Sequence, residues 1–330
     1  MQIAFFNTKL FERDWYERHQ GHHQIYFFDE PLTPYHVRLA EGCGAVCASV
    51  NDNLCKLTLE GLKNAGVEVV AMRCAGLDNV DLDAAERLGI QVINVPDYSP
   101  FAVAEHAVAL LLALLRHLPE ARSRIGRGNF SLDGLVGTEL HRKTVGVIGT
   151  GHIGRAFCQI MQGFGCTVLA YDVRPQPKLM STGLRYASLN EVLSESDLVA
   201  LHCPLNERTH HLIDARNLAL MKPSAILVNT SRGKLVDTDA LLAALNRGKL
   251  AGYATDVYEN EASWFGKDWS LEGVADERLN QLRRHPRVLM TAHQGFLTAE
   301  ALEQIGRSLL NKLTFFEGQR AEGVTKASMC

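Results

Sequence analysis

The sequence has no long apolar run. Its longest, Val103 to Leu115, carries Glu105 and His106 and is too short to span a bilayer. A buried helix is expected there, and no membrane partner. Charge of one sign is also missing: 34 Lys and Arg stand against 37 Asp and Glu, for a net charge of −3, and both signs are dispersed. That balance points away from nucleic acid and anionic lipid as partners. Zinc-site spacing is absent too. Cys43 and Cys47 are close, but no second Cys or His pair follows at the required interval, so no metal site is expected. His19, His22 and His23 read as a solvated turn. The eight cysteines are scattered, and Cys47, Cys74 and Cys203 fall in or beside apolar runs. They read as buried thiols in a reducing cytoplasm, not as a disulfide framework. Repeats, low-complexity segments and an N-terminal signal segment are lacking, since a strand opens at Ile3.

What the sequence does have is concentrated in Thr144 to Asp172. Val145, Val147 and Ile148 form a β-prone run. Gly149, Gly151 and Gly154 follow at G-x-G-x-x-G spacing. Ile153, Phe157, Ile160, Met161 and Phe164 then recur at helical spacing, and Thr167 to Ala170 form a second strand that ends in Asp172. Each glycine has a task. Gly149 permits a tight turn, Gly151 lets the backbone approach a pyrophosphate, and Gly154 lets helix and strand pack closely. The helix N-terminus offers N–H groups to phosphate. Asp172, 18 residues after Gly154, suits ribose hydroxyls and repels a 2′-phosphate. NAD is therefore expected over NADP, with Arg174 blurring the preference.

The 330 residues suffice for two domains. Before residue 100, strands at 2–6, 25–28, 45–49, 67–72 and 91–95 alternate with helices at 10–19, 58–65 and 82–88. Gly66 and Gly89 serve as helix stops. Such alternation means a parallel sheet with helices on both faces. A turn from Pro96 to Pro100 leads into a helix from about Ala102 to Leu118. That helix is apolar nearly all round and must bury itself at a domain or subunit interface. Residues 119–143 read as irregular, with Arg122, Arg124 and Arg127 on a solvated face. After Asp172, strands are expected at 198–203, 225–229, 251–256 and 288–292, a helix at 239–246, and a final helix from Thr298, its N-cap, to about Phe316. That last helix is free to fold back on the first unit.

Three strands of the second unit end in polar residues. Thr230, Ser231, Arg232 and Gly233 follow one; Asp256, Glu259 and Glu261 follow the next; His293, Gln294 and Gly295 follow the last. Ligands bind beyond the carboxyl ends of such strands. An Arg, an acid and a His beside a nicotinamide suit reduction of a 2-keto acid. The guanidinium forks onto a carboxylate. A group titrating near neutrality supplies the proton, and a carboxylate raises its pKa. Arg232 and His293 fill the first two roles; Glu259 and Glu261 cannot be separated by chemistry. His202, at a strand end, lines the expected cofactor cleft, and His106 reads as structural.

The motifs RCAGLDNVDL from Arg73, VPDYSPFAVAEHA from Val95, VIGTGHIG from Val147, LHCPL from Leu201, VNTSRG from Val228, TDVYENE from Thr255 and TAHQGFLTAEAL from Thr291 resemble the D-2-hydroxyacid dehydrogenase family over essentially the whole chain. The resemblance implies two doubly wound parallel α/β domains with a cleft between them. One is a discontinuous, flavodoxin-like catalytic domain of residues 1–100 plus 298–330; the other is a Rossmann NAD-binding domain of residues 101–297. It implies NADH-dependent, reversible reduction of pyruvate to D-lactate, with His293 as acid/base, Arg232 as carboxylate clamp and Glu261 as the acid paired with His293. It places Asp256 on the nicotinamide amide, Ala75 and Gly76 on the substrate carboxylate, and Tyr98 and Phe296 in the pocket wall. It lines the cofactor with His152, Ile153, Cys203, Pro204, Thr209 and Thr230. It also implies a homodimer or homotetramer, built on the long helix after Pro100. A bulkier 2-keto acid as substrate, or an NADH-sensing binding protein, are the competing readings.

Overall fold

The computed structural model describes residues 1–96 and 98–321, without the side chains of 320 and 321. Asp97, in the expected Pro96–Pro100 turn, and residues 322–330 of the expected C-terminal segment lie outside the described residues. The chain divides into two compact units, one made of residues 1–99 and the segment from Thr298, the other of Pro100–Leu297.

In the first unit the order is β1 (Gln2–Phe5), α1 (Leu10–His19), β2 (Gln24–Phe27), β3 (Ala45–Ala48), α2 (Lys56–Asn64), β4 (Val69–Met72), α3 (Leu82–Leu88) and β5 (Gln91–Ile93). The sheet is parallel throughout, in the order β2-β1-β3-β4-β5. Every residue of β3 and β4 is buried. That explains why both read as unbroken apolar runs rather than alternating ones. Gly89 ends α3 with φ +64, the left-handed geometry that glycine adopts without a Cβ clash.

The second unit continues with α4 (Pro100–Leu115), α5 (Leu118–Gly126), β6 (Thr144–Ile148), α6 (His152–Gly163), β7 (Thr167–Tyr171), α7 (Pro177–Met180), β8 (Arg185–Tyr186), α8 (Leu189–Glu195), β9 (Leu198–Leu201), α9 (Ala215–Leu220), β10 (Ile226–Asn229), α10 (Thr238–Asn246), β11 (Gly252–Thr255), α11 (Glu277–Arg284) and β12 (Val288–Met290). Its parallel sheet runs β12-β11-β10-β9-β6-β7-β8. The closing helix α12 (Ala299–Ala321) belongs to the first unit and packs on α1 and β4. Thr298 caps it, its Oγ1 accepting from Ala301 N at 3.2 Å.

Three expectations change. The long helix stops at Leu115, because His117 turns left-handed at φ +51 and Pro119 opens α5. Proline is at home in a first turn, where its missing N–H is not needed. Residues 119–143 are therefore helical at their start. Helix α4 is buried within its own unit, against α6 and strands β10 to β12. Helix α8, capped by a Ser188/Glu191 capping box, is an element the periodicity did not reveal. No single helix among the described residues is long and apolar enough to cross a membrane; α4 and α5 together reach the length only across a 62° bend.

The His22–His23 turn is not merely solvated. Glu317 of α12 lies against it, with Oε2 at 2.6 Å from His22 Nε2 and 3.7 Å from His23 Nδ1. A second long-range contact closes the unit nearby: a Cβ on Gly306 of α12 would run into the Trp15 ring of α1. Gly306→Ala gains about 1 kcal/mol of helix propensity but displaces a half-buried indole, and overpacking costs about 1–3 kcal/mol. The expected outcome is net destabilisation, and Gly306→Val should be worse; chemical denaturation of the two variants checks it.

Candidate active site

In the seven-stranded sheet the chain runs outward from β6 through β7 and β8, then returns to place β9 on the other side of β6. Ligand sites open at such a switch point, beyond the carboxyl ends of the strands. Those ends are Ile148 and Leu201, and the turns after them are in contact. A Cβ on Gly149 would lie 2.6 Å from the carbonyl of His202 and 2.7 Å from Cys203 N, and Gly149 has φ +97. A Cβ on Gly154 would strike the carbonyl oxygen of Gly149, whereas at Gly151 nothing lies within 4 Å. Two glycines thus close the turn, and the third leaves open space at the N-terminus of α6. Gly151 is the N-cap there, and no side chain caps its first turn. Those N–H groups suit phosphate.

Asp172 follows β7 directly. Its Oδ2 accepts from Thr150 N at 2.6 Å and Thr150 Oγ1 at 3.0 Å, and its Oδ1 from Arg174 N at 2.8 Å. Burial pushes its pKa up, but these donors outweigh burial and hold the carboxyl below its usual value, so it is anionic. Thr230, at the end of β10, has a buried hydroxyl with no partner among the described residues. An unmet buried hydroxyl costs about 1–3 kcal/mol. Together the glycine cradle, the anionic acid and the unmet hydroxyl fit a dinucleotide.

Other expected cofactor residues fall in the same region with more specific roles. His152 is exposed and Ile153 half-buried at the start of α6. His202 packs its ring on Phe157 of α6 at 4.8 Å. Burial pushes its pKa down to about 4, and its Nε2 is covered without a partner. Its side chain therefore braces the glycine turn from within as a neutral imidazole. The Cys203 thiol is buried and pushed up to about 11, while its carbonyl accepts from Ser231 Oγ at 2.7 Å, tying the end of β9 to that of β10. Thr209 Oγ1 donates to the Pro204 carbonyl at 2.7 Å and so shapes the exposed turn that follows Cys203.

The catalytic candidates gather at the ends of β10, β11 and β12. Asn229, fully buried, accepts from Ser231 N at 3.1 Å and donates to the Arg232 carbonyl at 2.9 Å, curling the turn that carries Arg232. A Cβ on Gly233 would overlap the backbone of Tyr258 and Glu259. Only glycine lets the Arg232 turn meet the Glu261 segment backbone to backbone. Glu261 Oε2 accepts from Tyr258 N at 3.0 Å, and Glu261 Oε1 lies 2.6 Å from His293 Nδ1. Burial lowers the pKa of His293, but the hydrogen bond and charge of Glu261 overcome it, with Asp256 adding and Arg232 opposing; the net shift is upward. Glu259 faces elsewhere, onto His211 Nε2 at 2.7 Å. Of the two glutamates, Glu261 is the one that contacts His293.

Asp256, expected on the nicotinamide amide, is only 1% exposed. Its Oδ1 accepts from Thr291 Oγ1 at 2.6 Å and Gln294 N at 2.9 Å, and its Oδ2 from Gly295 N at 2.7 Å. The structure directs this carboxylate into the 291–295 turn. Thr291 and Asn229 escaped sequence reasoning, and His106 was read as structural only; its Nε2 lies 2.9 Å from Thr291 Oγ1. On the first unit, Ala75 and Gly76 follow β4. The preceding Arg73 is buried, with Nε 3.1 Å from Glu12 and Nη1 donating to the Phe6 carbonyl at 3.0 Å. Tyr98 is half-buried in that unit, and Phe296 is half-buried in the second.

Comparison with known proteins agrees with this geometry. Residues 108–295 match the family model described as D-isomer specific 2-hydroxyacid dehydrogenase, NAD binding domain. A 2-hydroxyacid dehydrogenase homolog of Zymomonas mobilis is 45% identical over 95% of this chain and 96% of its own. The D-lactate dehydrogenase of Escherichia coli is 42% identical over 96% of this chain and 97% of its own. Among solved structures, a pyruvate reductase of Chlamydomonas reinhardtii superposes with a TM-score of 0.89 at 40% identity, covering 96% of each chain. With its glycine cradle, anionic Asp172 and paired His293 and Glu261, the chain belongs to the D-isomer specific 2-hydroxyacid dehydrogenase family and is an oxidoreductase that uses NAD.

Proposed function

We propose that the chain reduces pyruvate to D-lactate with NADH and catalyses the reverse reaction. The observation that carries this reading is the 2.6 Å bond between Glu261 and His293, beside an Arg232 turn locked in place at Gly233. When bound, NADH supplies the hydride that goes to the carbonyl carbon. Arg232 holds the substrate carboxylate and polarises the carbonyl. His293 has Nδ1 committed to Glu261, so Nε2 is the nitrogen that gives a proton to the carbonyl oxygen as hydride arrives. In the reverse direction neutral Nε2 takes that proton back. Ala75 and Gly76 are assigned to the substrate carboxylate, Tyr98 and Phe296 to the wall around the methyl group, and Asp172 to the adenosine ribose. The similarity to a D-lactate dehydrogenase and a pyruvate reductase supports a small keto acid over a bulky one.

A homo-oligomer is inferred from exposed apolar side chains on and after α5. Ile125, Phe130, Leu132 and Val136 are 55%, 76%, 79% and 89% exposed, and clusters of this kind mark interaction surfaces. A reducing cytoplasm suits the seven described cysteines, all of them free thiols.

The deciding assay is NADH oxidation with pyruvate, phenylpyruvate and glyoxylate, with the handedness of the product determined. Pyruvate should turn over fastest and yield D-lactate. Preference for phenylpyruvate would move the substrate assignment, and tight NADH binding without turnover would leave a sensor instead.

The pH dependence follows from His293. Its raised pKa keeps it protonated above the ordinary histidine range, so reduction should persist there and fall as pH rises through that pKa, while oxidation gains. Glu261→Gln removes the dominant raising partner and should move the alkaline limb of reduction to lower pH. His293→Ala should lose roughly 10²–10⁴-fold in kcat. Full activity in His293→Ala, or an unmoved limb in Glu261→Gln, would overturn the assignment.

A further inference from the structure

We propose that His22, His23 and Glu317 form a site for a zinc-like divalent cation that joins the start of the first unit to its closing helix. The three ligating atoms lie within 4.8 Å of one another. Two imidazole nitrogens and a carboxylate oxygen are a zinc donor set, with a fourth position left for water. His23 is built for the task. Its side chain is 2% exposed, and its Nε2 is hydrogen-bonded to Thr314 Oγ1 at 2.9 Å. Such a second partner fixes which nitrogen faces a metal. Nδ1 is the one that faces Glu317. The Met1 ammonium holds the cation's place in this cluster, 2.6 Å from Glu317 Oε1 and 3.3 Å from His23 Nδ1, and a metal ion would displace it. A tetrahedral zinc separates its ligands by about 3.3 Å, given bonds of about 2.0 Å. The Glu317–His23 gap of 3.7 Å is near that value, and His22, 58% exposed, has room to turn. The test is zinc chloride titration of chelator-stripped protein against a chromophoric competitor, with melting curves alongside. Wild type should bind about one zinc per chain and melt a few degrees higher with it; His22→Ala and Glu317→Gln should lose both effects. No zinc bound by wild type, or equal binding by Glu317→Gln, would overturn the site.

A separate set of contacts makes His106 a positioning residue for His293, an inference that rests on the dehydrogenase reading above. His106 Nε2 stands 2.9 Å from Thr291 Oγ1 and 3.3 Å from Asp256 Oδ1. The Thr291 hydroxyl has one proton and gives it to Asp256 at 2.6 Å, so it can only accept from His106, whose Nε2 therefore carries hydrogen. Asp256 in turn holds Gln294 N and Gly295 N, and its carbonyl accepts from His293 N at 2.6 Å. His293 itself sits at φ +55, a strained backbone for a non-glycine residue. The His106 ring also packs on Gly295, where a Cβ would come within 3.4 Å of Cδ2. The charged groups bearing on His293 are Glu261, Asp256 and Arg232. If the turn relaxes, the bond to Glu261 loosens and the pKa of His293 falls. His106→Leu should lower kcat about tenfold with NADH affinity retained, and should move the alkaline limb of reduction to lower pH. His106→Gln, whose amide N–H can replace Nε2–H, should restore both. An NMR titration of the His293 ring reads the same shift without turnover, so a failure of the substrate assignment and a failure of this inference are told apart. An unshifted His293 in His106→Leu would overturn it, whatever happened to kcat.

Discussion

A carboxylate held out of water must be met by donors or take up a proton. Asp256 is that group in the second unit, and much of the site follows from satisfying it. It is 1% exposed and accepts from Thr291, Gln294 and Gly295. To supply those donors, the chain after β12 folds back over the end of β11. That fold forces His293 into a left-handed conformation, which costs roughly 1–2 kcal/mol. A hydrogen bond to a charged group contributes about 1.5–3 kcal/mol, so one or two of these contacts offset the strain. The position of His293 is thus a consequence of how a neighbouring charge is buried.

The second unit contains two His–Glu pairs at nearly equal distance, Glu261–His293 at 2.6 Å and Glu259–His211 at 2.7 Å. Distance alone does not separate them. Their surroundings do. The His293 pair stands beside Arg232, whose charge opposes protonation of His293. Glu259 has its second oxygen 3.4 Å from Thr238 N at the start of α10, and its pKa is held below the usual value by Thr238 and His211 against burial. Glu261 bonds the histidine that stands beside Arg232, and Glu259 fastens the 258–261 segment to α10 and to the loop before α9.

The parallel alternation, the glycine turn and the polar strand ends were legible because they rest on local pattern: buried runs for strands, fixed spacing for the turn. What the sequence did not disclose depends on partners distant along the chain. Glu259 and Glu261 carry the same chemistry two residues apart, and only the approach permitted by Gly233 decides which one reaches His293. His22 and His23 read as solvent-facing because Glu317 comes from the other end of the chain. Pro119 looked like a helix end because a proline reads equally well as a stop or a start; the left-handed His117 before it settles the matter. The Ser188/Glu191 box was a local signal, but α8 has only seven residues, too few for periodicity to show.

Sequence distance between the catalytic candidates is likewise uninformative, because the sheet does the assembling. Asn229, Thr255 and Met290 are register partners across β10, β11 and β12. With strands about 4.8 Å apart, all three exits open in one row within roughly 10 Å. Arg232 lies three residues past its row position, Asp256 one past, and His293 three past. A slip of one residue in β11 would turn every side chain of that strand to the other face, taking Asp256 from the turn it anchors. Thr255 guards against this. Its Oγ1 contacts the Asn229 carbonyl at 3.1 Å and the Val257 carbonyl at 2.7 Å. The hydroxyl of one buried threonine thus ties the row to the loop beyond it, and the register of the core becomes the geometry of the site.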